Sequence, residues 1–323
     1  MRFIPLAICF ALSFVSVAAK ANDNYPSRPV TVIVGFPPGT ATDSVARLLA
    51  ENFTQSFGGA RFIIDNRSGQ GGSIGATAAA RAEPDGYTIA VSASGPLAIN
   101  PHVYSNLRYN SLTDFTPIGQ IVQLPYVLVV NKDAPYKSLR ELADAAKAKP
   151  GIISYGSTGN GTTSHLMMAM FENSSKASFN HIRYRGTAQS MTEILAQRLD
   201  VTFDTLSGSL PFINDGSVRP LAVSTKKRIS LLPNVPTTAE AGFPDVQGGA
   251  WLVLIGPAKL PPEIVAKLSN ALTTALKDPK MQAALHTLGT EIDGSTPEEM
   301  SEILRRDIGR WGEIVKVTGA KID

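Results

Sequence analysis

Hydroxyl, imidazole and carboxylate side chains gather around two glycine-rich turns, each lying between an apolar run and a helical pattern. The first turn is GFPPGTATD, residues 35–43, and the second is GSTGNGTTSH, residues 156–165. Glycine lets the backbone approach a ligand closely, and the first N–H groups of a helix have no acceptor within the helix. A strand, a glycine turn and a helix start therefore favour the binding of an anion. For the first stretch alone, an ordinary strand-to-helix loop is an equally good interpretation.

The elements on either side of the first turn are predicted from its neighbours. Residues 30–34 are five apolar or β-branched residues in a row, which indicates a buried strand. Thr42 or Asp43 is expected to cap the following helix, because either side chain can accept a hydrogen bond from the first turn. Apolar residues then recur at helical spacing, at Val45, Leu48, Leu49 and Phe53. The second turn repeats this order, with a strand at 152–155 and a helix after the turn.

A hydrolytic site at the second turn is not favoured. Ser157, Ser164 and His165 are close in sequence, but no G-x-S-x-G elbow is present. Ser164 and His165 also point about 100° apart if they are consecutive residues of a helix. The turn lacks the G-K-[ST] ending of a phosphate-binding loop, so the sequence gives little support for nucleotide binding. We therefore predict no catalytic residues.

The residue spacing also gives no indication of a metal site. His102, His165, His181 and His286 form no H-E-x-x-H or similar grouping, and Cys9 is the only cysteine. We predict no metal and no cofactor.

Three charged residues near the second half of the chain have two interpretations each. Arg183 and Arg185 alternate on a predicted strand, which more often means a solvated face than a carboxylate clamp. Asp204 ends an apolar strand, where an acid is expected to face a cleft rather than to be buried. It serves either a turn or a ligand hydroxyl or amine.

The first 21 residues are typical of a secretory signal peptide. Arg2 supplies the positive start, residues 4–17 an apolar run too short to span a bilayer comfortably, and Ala19-Lys20-Ala21 the cleavage pattern. Without Arg2 and Lys20, 28 basic residues face 27 acidic ones, a net charge of +1. Such a chain is not a polycation that would bind nucleic acid. It also has no second long apolar run that would predict membrane insertion. The expected location is the periplasm, with cleavage near Ala21.

Strands and helices alternate along the mature chain, which predicts an α/β fold with parallel, helix-covered sheets. About 300 residues favour two domains. We place domain 1 at residues 25–125 and 225–295 and domain 2 at 126–224, because the strand pattern restarts near Pro125. The final helix, from 296 to 323, either stays with domain 1 or crosses back to pack on domain 2. Two crossings between the domains would leave a ligand cleft, as in a Venus flytrap.

Several blocks in the same order resemble one known family. These are YPSRPVTVIVGFPPGTATDSVAR, IDNRSGQGGSIGA, PDGYTIAVSASGPLAINP, YGSTGNGTTSHL, YRGTAQSMTEILAQRLDVTFD and SVRPLAVSTKKRISLLPNVPTTAEAGFP. They are similar to the Bug, or TctC-like, periplasmic solute-binding receptors of tripartite tricarboxylate transporters. The resemblance implies two α/β domains joined by two crossings, of the type II periplasmic binding protein class, which close on a small carboxylate.

The resemblance also implies which residues line the cleft, where backbone N–H groups and waters hold the carboxylate. Carried over by position, the ligand-binding residues are Phe36, Pro37, Pro38, Gly39, Thr40 and Asp43; Ser94; Ser157, Thr158, Gly159, Asn160, Gly161, Thr162 and Thr163; and Tyr184, Gly186, Thr187 and Asp204. The sequence departs from the family pattern at Thr40, where a second glycine is usual, and at Gln189-Ser190, where Pro-Ala is usual.

The sequence therefore predicts a receptor and not an enzyme. Its ligand is expected to be a di- or tricarboxylate, an amino acid or an aromatic acid, and its partners the membrane subunits of a transporter. The protein is expected to be a monomer. Two alternatives are an exported hydrolase of carboxylic esters and a receptor that feeds a sensor kinase.

Overall fold

The computed structural model describes residues 25–184 and 186–319. The predicted signal peptide, its cleavage site and Arg185 lie outside the described residues. Within them, no helix is both long enough and apolar enough to cross a bilayer.

Strands and helices alternate through most of the described chain. The strands are β1 (Val30–Val34), β2 (Phe62–Asn66), β3 (Thr88–Ala93), β4 (Phe115–Asn131), β5 (Ser154–Ser157), β6 (Asn180–Arg183), β7 (Val201–Thr205), β8 (Val218–Val223), β9 (Gly249–Pro257) and β10 (Glu291–Ile292). The α-helices are α1 (Ala41–Ser56), α2 (Ser73–Ala80), α3 (Asn100–Val103), α4 (Leu139–Ala148), α5 (Thr163–Ser175), α6 (Thr187–Leu195), α7 (Leu206–Asn214), α8 (Pro262–Lys277), α9 (Pro279–Thr287) and α10 (Pro297–Thr318). A short 3-10 segment, Gln70–Gly72, and a π-helical turn, Gly95–Ile99, precede α2 and α3.

Side-chain caps define several helix starts. Ser138 begins α4 by accepting the Glu141 N–H, and Thr296 begins α10 within a capping box that includes Glu299. The prediction that Thr42 or Asp43 caps α1 is wrong. Thr40 is the N-cap, and its side chain accepts the Asp43 N–H. The helix therefore starts earlier than the hydrophobic pattern indicated, because that pattern reports only buried positions.

The strands follow one hydrogen-bonded path in the order β2-β1-β3-β9-β4-β7-β5-β6, with β8 and β10 also paired to β4. Strands β1, β2 and β3 are parallel, and so are β5, β6 and β7. The long strand β4 joins the two halves by changing partners. Its residues 115–125 pair with β9, whereas 126–131 pair with β7 and β8.

The first part of β4 was missed because Pro117 and Pro125 argue against a strand interior. The register shifts between Pro117 and Gly119, and again between Gln120 and Val122. Such irregularities accommodate residues that cannot donate to the ladder.

The chain crosses between the halves at two neighbouring places, and Ser224 ties them together. The Ser224 Oγ accepts the Tyr126 N–H at 3.1 Å and donates to the Gly248 carbonyl at 2.6 Å. Backbone bonds also join Ser224 to Tyr126 and to Gly248. The first crossing is therefore at Pro125 to Tyr126, and the second is at Gly248 to Gly249.

The segment 225–248 packs against the half that contains β7 and β8. Ile229, Leu232 and Val235 are buried in one cluster with Val127 and Val223. The division into two domains stays a prediction, and this packing favours starting the second segment of domain 1 near residue 249 rather than 225.

Helix α10 contacts both halves. Asp307 accepts the Trp251 indole N–H at 2.7 Å, and the Ile308 carbonyl lies 2.7 Å from His102 Nε2. Arg310 donates to the Gln247 carbonyl beside the second crossing. The helix also packs against α5. It thus spans the region of the crossings rather than belonging to one side only.

Candidate functional site

Strand register brings the predicted loops to facing edges on either side of the crossings. Near the carboxyl end of β3, Ala93 pairs with Leu252, and β9 begins at Gly249 opposite Pro125. At the carboxyl end of β7, Thr205 pairs with Tyr126. The carboxyl ends of both parallel half-sheets therefore point to the crossings, and the loops that follow β1, β3, β5, β6 and β7 gather there.

The first loop is organised by the carboxylate of Asp43. Asp43 is only 2% exposed, and its oxygens accept the Gly39 N–H and the Arg47 Nε–H at 2.9 Å each and the Asn66 side-chain N–H at 2.9 Å. Asn66 also donates to the Phe36 carbonyl at 3.0 Å. Burial acts to raise the pKa of Asp43, but these hydrogen bonds lower it below its ordinary value.

Some of the N–H groups at the start of α1 are therefore already hydrogen-bonded within the protein. The Asp43 N–H is bonded to Thr40, and the Gly39 N–H to Asp43, whereas the N–H groups of Ala41 and Thr42 have no acceptor among the described residues. The Thr40 hydroxyl donates to the Pro37 carbonyl at 2.8 Å, so it fixes the loop from inside. Pro37, Pro38 and Gly39 are exposed, and Phe36 is half-buried.

The second loop presents a helix start without a side-chain cap. The Thr162 hydroxyl donates to the Gly159 carbonyl at 2.7 Å and accepts no backbone N–H of α5. No acceptor among the described residues reaches the N–H groups of Thr163, Ser164 and His165. Gly159 and Gly161 have φ values of +130° and +68°, which favour glycine. Three aligned donors at the positive end of a helix make this the stronger candidate of the two for binding an anion.

The remaining contacts of the second loop come from side chains beneath it. Thr158 donates its N–H to the Ser164 hydroxyl at 3.0 Å, and Gly161 donates its N–H to His165 Nδ1 at 3.0 Å. Ser157 Oγ lies 2.6 Å from His181 Nε2 and accepts the Gly159 N–H at 3.1 Å. The Asn160 side chain is half-buried.

The Ser157–His181 pair lies at hydrogen-bond distance, but the serine is not accessible to a substrate. Ser157 is fully buried, and its hydroxyl is held by the loop that it supports. A nucleophile must reach its substrate, so this serine is a structural residue.

A third helix start, that of α6, lies beside the second. Its N-cap is Gly186, which has no side chain to cap it, and Tyr184 is half-buried just before it. Thr187, the first helical residue, donates its hydroxyl to Asp204 at 2.9 Å. The Arg183 side chain next to this turn is exposed.

Asp204 is buried, which contradicts the expectation that it would be exposed to the cleft. It is 2% exposed and accepts the Thr205 N–H at 2.7 Å besides the Thr187 hydroxyl. Burial raises the pKa of Asp204 to about 6. The carboxyl group is tolerated inside because donors surround it, and it acts on the site by holding Thr187.

Ser94 follows β3 and lies at the same edge as the first loop. It is fully buried, and its Oγ has no hydrogen-bond partner among the described residues. A buried hydroxyl without a partner is costly, so Ser94 stays a candidate for a ligand contact.

Sequence reasoning missed four residues that support the loops, namely Arg47, Asn66, Tyr126 and His181. Asn66 ends β2 at the same edge as the first loop, which was a usable signal. Tyr126 is bonded to the Thr163 side chain, and burial raises its pKa. His181 was visible only as one of four scattered histidines, because its contact with Ser157 depends on the pairing of β5 with β6.

A family model described as "Tripartite tricarboxylate transporter family receptor" (TctC) matches residues 45–320. The chain is 32% identical over 322 residues to Protein BugT of Bordetella pertussis, with 99% of this chain and 98% of BugT covered. It resembles the solved structure of R. palustris Rpa4515 with adipate, with a TM-score of 0.86 and 34% identity over 92% of this chain and 100% of that one.

A second solved structure, MatC (Rpa3494) from Rhodopseudomonas palustris with bound malate, gives a TM-score of 0.82 and 30% identity. The match covers 90% of this chain and all of that one. These likenesses confirm the predicted α/β fold of two-domain periplasmic binding proteins, and the predicted resemblance to Bug receptors.

Proposed function

Since the chain belongs to the TctC family of tripartite tricarboxylate transporter receptors, we propose that it captures a small organic carboxylate in the cleft at its two crossings. The family consists of receptors, which confirms the prediction that the chain is not an enzyme and removes the ester-hydrolase alternative.

The observation that supports a carboxylate most directly is the open start of α5. Three N–H groups there have no acceptor among the described residues, and no carboxylate side chain caps them. A helix start without a cap at a loop edge stabilises an anion by about 0.3 to 2 kcal/mol. In this proposal the first carboxylate group of the ligand binds to Thr163, Ser164 and His165 N–H groups, beside the α6 start at Gly186 and Thr187.

The opposite loop contributes differently because Asp43 already lies at the start of α1. The Ala41 and Thr42 N–H groups and the buried Ser94 hydroxyl are the donors on that side that the described contacts leave unused. In this proposal a ligand anchored on α5 also contacts these donors in a closed state, in which the two halves approach each other. Its binding energy would thus favour the closed state, as a population shift requires.

The proteins Rpa4515 and MatC were solved with adipate and malate, two dicarboxylates. We extend that ligand class to this chain, and we propose that it is exported to the periplasm and delivers its ligand to membrane subunits of a transporter.

Calorimetry on the mature chain tests the proposal. The titration panel is adipate, malate, a tricarboxylate, an aromatic acid, an amino acid and the dimethyl ester of adipate. At least one acid is expected to bind and the ester is not, because the ester carries no anion for the α5 start. Binding of the ester as tightly as of adipate, or of none of the acids, would refute a carboxylate receptor.

A further inference from the structure

Two histidines support the second loop from below in a stacked column of rings. The His165 and His181 rings are 4.4 Å apart and within 7° of parallel, and Tyr155 stacks on His181 at 4.6 Å. His165 is on α5, His181 on β6 and Tyr155 on β5. The column therefore connects the helix start to the two strands beneath it.

His165 holds the loop through one ring nitrogen. Its Nδ1 accepts the Gly161 N–H at 3.0 Å, so this nitrogen carries no proton and the proton of the neutral ring is on Nε2. Gly161 is buried, and no other acceptor for its N–H is found among the described residues. The next residues are Thr162 and Thr163, the N-cap and first residue of α5.

We propose that His165 is a positioning residue for carboxylate binding, and that it holds the Gly161 loop in its binding conformation only as a neutral imidazole. A proton on Nδ1 would turn the acceptor into a donor that faces the Gly161 N–H, so the bond would be lost. The positive end of α5 would also repel the imidazolium. Ligand capture would then weaken in acid. The affinity part of this inference rests on the proposed function, whereas the loop part does not.

The charged groups around the column do not offset this effect. Arg183, on β6 with His181, is a cation whose charge opposes protonation of His181, the ring that stacks on His165. Burial lowers the pKa of His165, and burial with the charges of His165 and Arg183 lowers that of His181 to about 4. Both rings are therefore neutral near neutral pH.

The carboxylates on neighbouring elements are bonded elsewhere. Glu172 on α5 accepts the Phe179 N–H, Asp200 just before β7 accepts from Ser154, and Asp204 on β7 accepts from Thr187 and Thr205. On α10, which packs against α5, Arg310 donates to the Gln247 carbonyl. None of these carboxylates is hydrogen-bonded to either imidazole in the described structure.

The first measurement needs no ligand. Asparagine is followed by glycine only once in the chain, at Asn160-Gly161. Labelling asparagine carbonyls with ¹³C and glycine amides with ¹⁵N therefore isolates the Gly161 amide signal in NMR spectra. In the wild type this signal is expected to shift as pH falls and His165 is protonated. In His165→Asn it should stay in place, because the asparagine Oδ1 replaces Nδ1 as acceptor and does not titrate.

The second measurement is calorimetry with adipate as the probe at about pH 7.5 and about pH 5. At the higher pH, His165→Asn, which keeps an acceptor for the Gly161 N–H, is expected to bind more tightly than His165→Ala, and His165→Ala much more weakly than the wild type. Between the two pH values the wild type should lose affinity by a larger factor than His165→Asn does. Protonation of adipate is the same for both proteins, so the ratio isolates His165. His286→Asn, at a histidine on α9 that contacts Ser230, is the control and should keep the wild-type pH dependence.

The proposal is wrong if the Gly161 signal moves equally in wild type and His165→Asn, if both lose affinity equally in acid, or if His165→Ala binds as the wild type does. If the wild type binds no adipate at the higher pH, the adipate assignment fails. The Gly161 signal then still decides whether His165 positions the loop.

Discussion

Asp204 shows at the scale of one residue how the site depends on a buried carboxyl group. Its side chain sits beneath the start of α6, where Thr187 and Thr205 donate to it, and burial raises its pKa to about 6. The folded protein thus binds a proton that the unfolded chain releases at about pH 4, the ordinary range of an aspartate. Stability from this group is fully present below that pH and is lost as pH rises through about 6.

Asp204→Asn is expected to remove this loss. When the pH is raised from about 4 to about 7, the free energy of unfolding of Asp204→Asn should increase relative to that of the wild type by up to about 3 kcal/mol. Chemical denaturation of both proteins across this range measures the difference, which cancels the opposite contribution of His181. The exposed Asp245→Asn is the control. A pH dependence equal to that of wild type would contradict a raised pKa for Asp204.

Gly159 tests whether close backbone approach matters at the second loop. Its φ is +130°, whereas Gly151, in a turn after α4, has a φ of +72° and open space where a Cβ would be. Gly159→Val and Gly151→Val should each cost about 1–3 kcal/mol of stability through backbone strain. Only Gly159→Val is expected to weaken adipate binding. Arg183→Ala should change adipate binding little. If Arg183→Ala abolishes adipate binding while Gly159→Val still binds it, an arginine clamp holds the ligand instead.

At the scale of the element, the two main helix starts differ in how their donors are satisfied. Helix α1 has an internal carboxylate, Asp43, whose oxygen accepts the Gly39 N–H, and helix α5 has none. The asymmetry predicts that the negative charge of the ligand is held first on α5.

Thr162→Asp would give α5 the cap that it lacks. An aspartate at the N-cap should stabilise the protein by about 0.3–1 kcal/mol, and it should weaken adipate binding about tenfold or more because it occupies the same donors with the same charge. Thr296→Asp makes the same change at α10, which is already capped, and should leave adipate binding unchanged. Calorimetry and thermal unfolding of both variants test this. Unchanged binding by Thr162→Asp would place the carboxylate elsewhere.

At the scale of the whole molecule, Ser224 joins the two crossings. Ser224→Ala would leave the Tyr126 N–H without the Ser224 hydroxyl as acceptor and the Gly248 carbonyl without its donor. The expected loss of stability is about 1–3 kcal/mol, measured by urea denaturation. Ser230→Ala, which removes an exposed hydroxyl near His286, is the control and should change stability little. Equal effects of the two changes would mean that Ser224 does not tie the crossings.

Closure of the cleft should be visible in solution. Small-angle X-ray scattering is expected to show a smaller radius of gyration when adipate saturates the wild type, because in the proposed binding mode the ligand contacts both halves only in the closed state. Thr162→Asp at the same adipate concentration should show less compaction. If the wild type binds adipate without any change in its scattering curve, ligand-driven closure is wrong.

Much of the fold could be predicted from sequence because local patterns report local structure. The apolar run of β1, the Ser138 cap of α4, the capping box of α10 and the glycine turn before α5 each depend on a few neighbouring residues. The first part of β4 and helix α7 were missed for the opposite reason. Pro117, Pro125 and Pro211 oppose the observed structure locally, and tertiary pairing and packing outweigh them.

For the candidate site, the sequence by itself determined the two glycine loops, the helix starts that follow them and the absence of a hydrolase elbow, since all of these are contiguous along the chain. Only the tertiary structure decided how the donors of those helices are satisfied. The contact of Asp43 with Asn66, the burial of Asp204 beneath Thr187 and the stacking of His165 on His181 join different elements. Such contacts depend on strand register and helix packing, which no local pattern specifies.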